Sequence, residues 1–178
     1  DYKDLAGNEG AQATAITAGS DVTYDDTSPT ISSVSIASNN AVTTLAKTGD
    51  IVTISFTSNE DLYVLDDVEV VGQTVDDALI TKTSGTAWTF DYVLTDTDTE
   101  GDVGFSFISN DLTGNNTTTN QADNGSVLFD RTPPTLTAVT IVSDNDYDTQ
   151  LAMVGDQITV NFATSEVVQD PPTVTIGG

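Results

Sequence analysis

One sequence pattern occurs twice in this chain, and this repetition limits the possible folds more than any other feature. Segment 130–136 is a copy of segment 25–31, shifted by 105 residues, with matching aspartate, threonine and proline positions. The same shift pairs Val34 with Val139, Ile36 with Ile141, and Ser38 with Ser143. After one inserted residue the pairs are Ala46 with Ala152, Gly49–Asp50 with Gly155–Asp156, Phe56 with Phe162, and Glu60 with Glu166. Upstream, Asp4–Asn8 matches Asp111–Asn115. We therefore interpret the chain as a tandem array.

The repeat length predicts how the chain is divided into domains. A unit of about 105 residues is an ordinary domain size and can bury its own core. We expect residues 1–25 to be the C-terminal strands of a preceding repeat, residues 26–130 a complete repeat, and residues 131–178 the N-terminal strands of a following one. Neither partial copy closes a fold alone, because each leaves open sheet edges. Either the natural protein continues in both directions, or neighbouring molecules complete one another by strand exchange.

The charge of the chain restricts its partners. The formal net charge is −24, with 28 acidic residues, four basic residues and no histidine. We expect no nucleic-acid partner, because phosphate contacts need a basic surface. Membrane insertion is not expected either, since no run approaches the roughly 20 apolar residues of a membrane span. So many carboxylates repel one another, and salt or divalent cations are candidates to offset that repulsion.

Apolar residues alternate with polar ones along most of the chain, and this pattern predicts β-strands. The alternation is clear in Val52–Phe56 and in Trp88–Leu94, with turn-forming residues between the runs. One repeat offers seven strands, named A to G, near residues 31–37, 50–57, 67–72, 78–83, 87–94, 102–109 and 125–129. Seven short antiparallel strands in such a unit predict an all-β fold, an immunoglobulin-like antiparallel β-sandwich. A small closed barrel is the alternative.

The alternation of strand direction in a sandwich predicts which loops lie together. Strand A descends from the linker and strand B returns, so the B–C loop at 58–61 and the F–G loop at 111–124 lie near linker residues Asp25 and Asp26. We expect these three segments to form one pole of the domain. The end of strand G at Asp130 then lies at the opposite pole, which meets the next copy and its B–C loop residue Glu166.

The repeated motifs are Asp-x-Thr-x-Pro-Thr, Val-x-Ile-x-Ser, Gly-Asp-x-(Val/Ile)-x-(Ile/Val)-x-Phe, (Asn/Ser)-Glu and Asp-Leu-x-Gly-Asn. Together they resemble bacterial Ig-like tandem repeats of large secreted or surface-anchored adhesins and fibre proteins. The resemblance covers the whole chain. It implies an extracellular or cell-surface protein whose partners are neighbouring repeats, with a glycan or other cell-surface target as a further possibility.

Many repeats of this kind bind calcium at domain junctions, and the resemblance carries this property to matching positions here. Those positions are Asp25, Asp26, Glu60 and Asp111 at the first junction, and Asp130 and Glu166 at the second. Arg131 replaces the carboxylate that Asp26 supplies at the first junction, and it can instead pair with an acidic neighbour.

The chemistry of calcium supports the same choice, because the ion takes six to eight oxygen ligands. The strongest combination is a linker aspartate with the B–C glutamate and the F–G aspartate, since topology brings three segments together. Asp96 and Asp98 belong to a second alternating acidic loop and are further candidates, although the loop lacks EF-hand spacing. The competing interpretation is that these residues form turns and keep the surface soluble.

Three functions follow from the sequence, and none is enzymatic. Without histidine or cysteine, the usual catalytic bases and nucleophiles are missing. We favour a structural spacer stiffened by Ca²⁺ at domain junctions. The alternatives are a filament protomer that assembles by strand exchange, and a glycan-binding module. A glycan would stack on Trp88, Phe90 and Tyr92 of strand E, although alternating aromatics more often pack in a core.

Overall fold

The computed structural model describes residues 2–12, 15, 19 and 22–176. Residues 1, 13, 14, 16–18, 20 and 21 of the predicted first segment, and residues 177 and 178, lie outside the described part. Contacts divide the chain into two units, residues 1–129 and residues 130–178. In chain order the strands are β1 (Ile31–Ser38), β2 (Leu45–Ala46), β3 (Ile51–Ser58), β4 (Leu62–Val70), β5 (Gln73–Thr74), β6 (Ile80–Lys82), β7 (Ala87–Val93), β8 (Gly101–Asp102), β9 (Phe105–Asp111), β10 (Asn116–Thr119), β11 (Leu128–Phe129), β12 (Leu136–Ser143) and β13 (Ile158–Thr164).

The first unit is built mainly from two four-stranded antiparallel sheets. One has the order β1-β3-β7-β6 and the other the order β10-β9-β4-β5. A small third sheet has the order β2-β11-β8, in which β11 runs parallel to β2 and antiparallel to β8. The prediction of an all-β fold with antiparallel sheets is therefore confirmed.

The core of the first unit lies between the two larger sheets. Every second residue of β3 is buried, and so is every second residue of β9, as expected for strands with one apolar face. Phe107 of β9 stacks on Phe56 of β3 with ring centroids 4.5 Å apart. It also meets Phe90 of β7 edge to face at 5.6 Å. These rings join the two sheets, and such aromatic pairs add to the stability gained by burying their area.

Two predicted strands are placed differently. The strand predicted near 125–129 is reduced to Leu128–Phe129, and the strand beside β9 is β10, inside the predicted F–G loop. β10 is an edge strand of asparagine and threonine, so it has no alternation of apolar residues by which it could be predicted.

The strand predicted near 67–72 is β4, which begins at Leu62. A bulge between Asp66 and Glu69, with Asp67 at φ 47°, shifts its alternation.

The second unit is a two-stranded antiparallel hairpin of β12 and β13. The segment between β12 and β13 contains the same asparagine-to-aspartate hydrogen bond as the segment between β1 and β3. Asn40 Nδ2 donates to Asp50 Oδ2 at 2.7 Å, and Asn145 Nδ2 donates to Asp156 Oδ2 at 2.8 Å. In both places the aspartate follows a glycine with positive φ, Gly49 or Gly155. The two connections therefore have the same local structure.

A 3₁₀ turn at Asp77–Leu79 is the helical segment of the described residues. No helix in this part of the chain has the length and apolar character required to cross a membrane.

Candidate metal site

Three acidic side chains from separate segments meet in the first unit. Asp25 precedes β1, Glu60 lies in the turn between β3 and β4, and Asp111 ends β9. One carboxylate oxygen from each residue lies within 4.8 Å of the other two. Asp111 is only 2% exposed, and Glu60 is half-buried. We call these three residues the acidic triad.

The turn that follows Asp111 folds around the carboxylate of that residue and holds it in place. Its Oδ1 accepts hydrogen bonds from the backbone N–H groups of Thr113, Gly114 and Asn115 at 2.6–2.9 Å. Asn115 Nδ2 also donates to Asp111 Oδ2 at 2.9 Å. Burial alone would raise the pKa of Asp111, but the hydrogen bonds from Asn115 and Thr113 outweigh it and lower the pKa to about 2. Asp111 is therefore ionised at neutral pH.

Hydrogen bonds to the segment after β9 hold the linker that carries Asp25. Asn115 Nδ2 donates to the carbonyl oxygen of Asp25 at 3.3 Å, and Thr117 Oγ1 donates to that of Pro29 at 2.6 Å. Asp25 Oδ1 accepts from the backbone N–H of Thr27 at 3.0 Å, which fixes the side chain beside its own turn. The linker is thus attached to the same turn that holds Asp111.

Glu60 is placed by the tight connection between the two sheets. Ser58 Oγ donates to the carbonyl oxygen of Glu60 within the turn. The neighbouring Asn59 donates its backbone N–H to the Thr30 carbonyl at 3.1 Å and accepts from the Thr30 N–H through Oδ1 at 2.7 Å. Because the turn is bonded to the end of the linker, Glu60 is held on the side of Asp25.

The donor set of the acidic triad suits a hard divalent cation. Calcium takes carboxylate and carbonyl oxygens at 2.3–2.6 Å, so two oxygens on one ion are at most about 5 Å apart. The three carboxylate oxygens of the triad lie within 4.8 Å of one another and therefore meet this condition. Nitrogen and sulfur ligands of the kind that zinc prefers are not among these residues. The arrangement therefore fits Ca²⁺.

Comparisons with known protein families, with curated protein sequences and with solved structures find no match.

The other residues predicted at the two junctions lie outside the acidic triad. Asp26 Oδ2 accepts a hydrogen bond from the hydroxyl of Tyr24 at 3.3 Å. In the second unit, Asp130 accepts from the Thr132 N–H at 2.9 Å, as Asp25 does from Thr27. Glu166 has the same backbone bond as Glu60, in this case from Thr164 Oγ1 at 2.6 Å. Across the described residues, only the triad brings three acidic groups this close together.

Asp98 and Asp96, the predicted acidic-loop ligands, are placed differently from each other. Asp98 is buried, and its two oxygens accept from the Tyr92 hydroxyl at 3.0 and 3.2 Å. Asp98 Oδ2 also accepts from the backbone N–H of Thr95 at 2.7 Å and from its hydroxyl at 3.0 Å. Burial, followed by these bonds to Asp98, raises the pKa of Tyr92 to about 12. Asp98 thus fastens the loop to β7, while Asp96 is exposed.

The predicted aromatic stacking surface on β7 is not exposed. Phe90 is fully buried and Trp88 almost so, while Tyr92 is half-buried with its hydroxyl on Asp98. These side chains pack in the core of the first unit, which is the more common arrangement for alternating aromatic residues of a strand.

Asn115 is the site residue that the sequence reasoning missed. It bonds to both Asp111 and Asp25, so it ties two members of the triad together. The repeated motif Asp-Leu-x-Gly-Asn could have identified it, because Asn115 and Asn8 occupy the same position in the two copies. Asn8 makes the same side-chain bond to Asp4 Oδ2, at 2.8 Å, as Asn115 makes to Asp111.

Proposed function

We propose that this chain is part of an extracellular or cell-surface fibre or adhesin, in which it is a structural spacer of tandem immunoglobulin-like β-sandwich units. Calcium binds where the linker enters a unit and stiffens the connection. The observation that carries the proposal is the acidic triad, because it joins the linker residue Asp25 to two loops of the unit that follows. A cation held by all three fixes the linker to the domain.

The sheet orders support the immunoglobulin-like assignment. In a constant-type immunoglobulin sandwich, strands A, B, E and D form one sheet and strands C, F and G the other. In chain order, strands A to F of such a sandwich correspond to β1, β3, β4, β6, β7 and β9. Strand G corresponds to β10, in place of the strand predicted near 125–129. The order β1-β3-β7-β6 is then A-B-E-D, and the order β10-β9-β4 is G-F-C.

The second unit supports the tandem assignment. Ile141 and Phe162 are 63% and 39% exposed, whereas their counterparts Ile36 and Phe56 are 5% and 3% exposed in the core of the first unit. A hairpin with an apolar face of this kind needs a second sheet to cover it. The natural partner is a further sheet of the same type as β10-β9-β4, which would complete another sandwich.

The mechanism of stiffening is electrostatic. Three carboxylates held close together repel one another when no cation lies between them, and a divalent cation replaces this repulsion with shared coordination. Asp111 Oδ1 already accepts three backbone hydrogen bonds, whereas Oδ2 accepts only from the side chains of Asn115 and Thr113, so Oδ2 is the oxygen with more capacity for the ion. Asp25, Glu60, carbonyl oxygens and water supply the remaining ligands of a six- to eight-coordinate site.

Thermal unfolding with calcium and with a chelator tests the proposal. Extracellular modules bind calcium with dissociation constants of about 0.1–1 mM, so about 10 mM calcium should raise the unfolding free energy by about 1.4–2.7 kcal/mol. Magnesium at the same concentration should raise it less, because it prefers a small octahedral site and retains its waters. Hydrogen exchange of the Thr27 and Asn115 amides should slow with calcium. Melting curves identical in calcium and chelator would remove the calcium role.

The exposed apolar face also favours a second candidate function, a filament protomer. In that case another copy of the chain covers the β12–β13 hairpin by strand exchange. Light scattering and electron microscopy of the isolated chain separate the two. Concentration-dependent growth into fibres would support the filament, and a monomer at all concentrations would support the spacer.

A further inference from the structure

The β12–β13 hairpin of the second unit carries a cavity of about 400 Å³. Its apolar lining comes from Ile141 of β12, Ile158 of β13, and Leu151 and Ala152 of the segment that joins the two strands. Ile141 and Leu151 are each 63% exposed, so this apolar surface faces solvent. An exposed apolar surface of this kind marks a place where another segment binds.

The corresponding place in the first unit is filled by β11. This strand lies parallel to β2, and Phe129 pairs with Ala46. The N–H of the neighbouring Leu128 donates to the carbonyl oxygen of Thr44 at 2.9 Å. Alternate residues of this segment, Val127 and Phe129, are each 1% exposed and belong to the core of the unit. The residues that match the lining of the cavity are Ile36, Leu45, Ala46 and Val52. A segment with a valine and an aromatic residue in alternation therefore fits beside a Leu-Ala pair of this kind.

A second segment with this pattern is exposed near the N-terminal end of the chain. Val22–Asp25 matches Val127–Asp130 at the shift of 105 residues, with valine, an aromatic residue and aspartate at equal positions. Val22 is 96% exposed and Tyr24 is 84% exposed. Asp25, which follows directly, belongs to the acidic triad, so the segment leads into a fixed point of the first unit. The chain thus carries both an exposed cavity and a segment of the type that fills it.

We propose that Val22–Tyr24 of one copy of this chain binds as a β-strand beside Leu151–Ala152 of a second copy. Strand addition supplies main-chain hydrogen bonds, and alternate side chains enter the cavity. Tyr24 takes the place that Phe129 has in the first unit. Such a contact presupposes the filament protomer proposed above, and it names the segment that one copy supplies to the next. The donor and acceptor surfaces differ, so the contact is heterologous and joins copies head to tail.

Sedimentation velocity of the full chain tests the contact. The segment is short and both copies are acidic, so association should be weak and is measured at about 0.1–1 mM protein in about 0.3 M salt. The donor variant, Val22→Ser with Tyr24→Ser, and the acceptor variant, Ala152→Gln, should each weaken self-association by about tenfold or more. Mixed together, the two variants should form a dimer and nothing larger, because each supplies the half that the other lacks.

Matched variants show whether the effect is local. Leu5→Ser with Leu112→Ser changes two other exposed apolar residues, and Val154→Gln changes a fully exposed residue near Ala152 but outside the cavity. Both controls should associate like the parent. Equal weakening in the controls, or self-association of the donor variant as strong as that of the parent, would overturn the proposal.

A disulfide reports the register of the contact, because the chain has no cysteine of its own. Pairing like that of Leu128 with Leu45 places Thr23 beside Leu151, and neighbouring strands are close enough for a disulfide. Thr23→Cys mixed with Leu151→Cys should give a cross-linked dimer under mild oxidation, far more than Thr23→Cys mixed with Val154→Cys. A cross-link within one chain of the double cysteine variant would place the donor in the same copy and contradict the contact.

The outcomes separate this contact from the functions proposed above. A parent chain that stays monomeric at all concentrations would remove the filament and the contact together. Fibres that grow equally well in the parent, donor and acceptor chains would keep the filament and overturn the contact alone. All measurements are made in chelator, so their result does not depend on calcium at the acidic triad.

Discussion

Asp111 and Asn115 are joined by two hydrogen bonds of 2.9 Å, one from the Asn115 backbone N–H to Oδ1 and one from its side-chain amide to Oδ2. The equivalent pair Asp4 and Asn8 is joined in the same way at 2.9 and 2.8 Å. In both turns the hydrogen bonds favour the ionised carboxylate, and the pKa of each aspartate is lowered. The turn is therefore a local structure that works only with a charged aspartate.

The lowered pKa values predict how stability changes in acid. The pKa of Asp111 falls from 3.8 to about 2 on folding, so the folded state binds its proton less tightly than the unfolded state. The stability that this group contributes is complete above pH 3.8 and is lost as the pH falls through about 2. Asp4, Asp50 and Asp156 act in the same direction. Urea unfolding midpoints, measured in chelator, should decline in this window. Asp111→Asn should be less stable at neutral pH and show a shallower decline; an equal slope would contradict the assignment.

Glu60→Gln tests the triad without disturbing the turn at Asp111. The substitution keeps the size of the side chain and removes one charge, so calcium affinity should fall by about tenfold or more. In chelator the variant should be as stable as the parent or more stable, because carboxylate repulsion is reduced. Calorimetric titration and melting curves measure the two effects. Glu69→Gln is the matched control and should bind calcium normally; a similar loss there would indicate a general charge effect.

Phe107 should be the most sensitive position of the core. It is fully buried between Phe56 and Phe90, so Phe107→Ala should lower the free energy of unfolding by about 3–5 kcal/mol. Phe107→Leu should cost less, because it retains much of the buried volume. Denaturant titration gives both values. A loss in the alanine variant no greater than that of an exposed substitution would mean that the two sheets are not joined at this ring.

The Tyr92–Asp98 pair should stabilise the loop after β7. Tyr92→Phe removes the hydroxyl donor from a buried carboxylate and should cost about 1–3 kcal/mol. The raised pKa of Tyr92 also predicts how stability changes in alkali. The stability that the neutral Tyr92 hydroxyl contributes is complete below pH 10 and is lost as the pH rises through about 12. Ultraviolet titration should show a late-ionising tyrosine that Tyr92→Phe removes. An unchanged titration curve in the variant would contradict the contact.

The first unit should fold without the second. All the buried apolar side chains of the described core lie between Val34 and Phe129. A chain ending at Phe129 should therefore unfold cooperatively, with a midpoint close to that of the parent. It should also bind less of a hydrophobic dye, since it lacks the exposed apolar residues of β12. Loss of cooperative unfolding on this truncation would show that the first unit depends on residues 130–178.

The sequence by itself determined the all-β character of this protein and the segments that contribute its acidic triad. Alternation in strands such as β3 and β9 reports which face is buried, and this depends only on neighbouring residues. The repeated Asp-Leu-x-Gly-Asn motif likewise marks a turn whose hydrogen bonds span four residues. Local chemistry of this kind is present in the order of the residues.

Only the tertiary structure decided which residues share a site. Asp98 and Asp111 are both acidic loop residues, yet Asp98 is engaged by Tyr92 while Asp111 meets Asp25 and Glu60. The edge strand β10 also has no signal in the sequence. The triad and β10 both depend on the register between strands far apart in the chain, and register is set by the packing of the whole core.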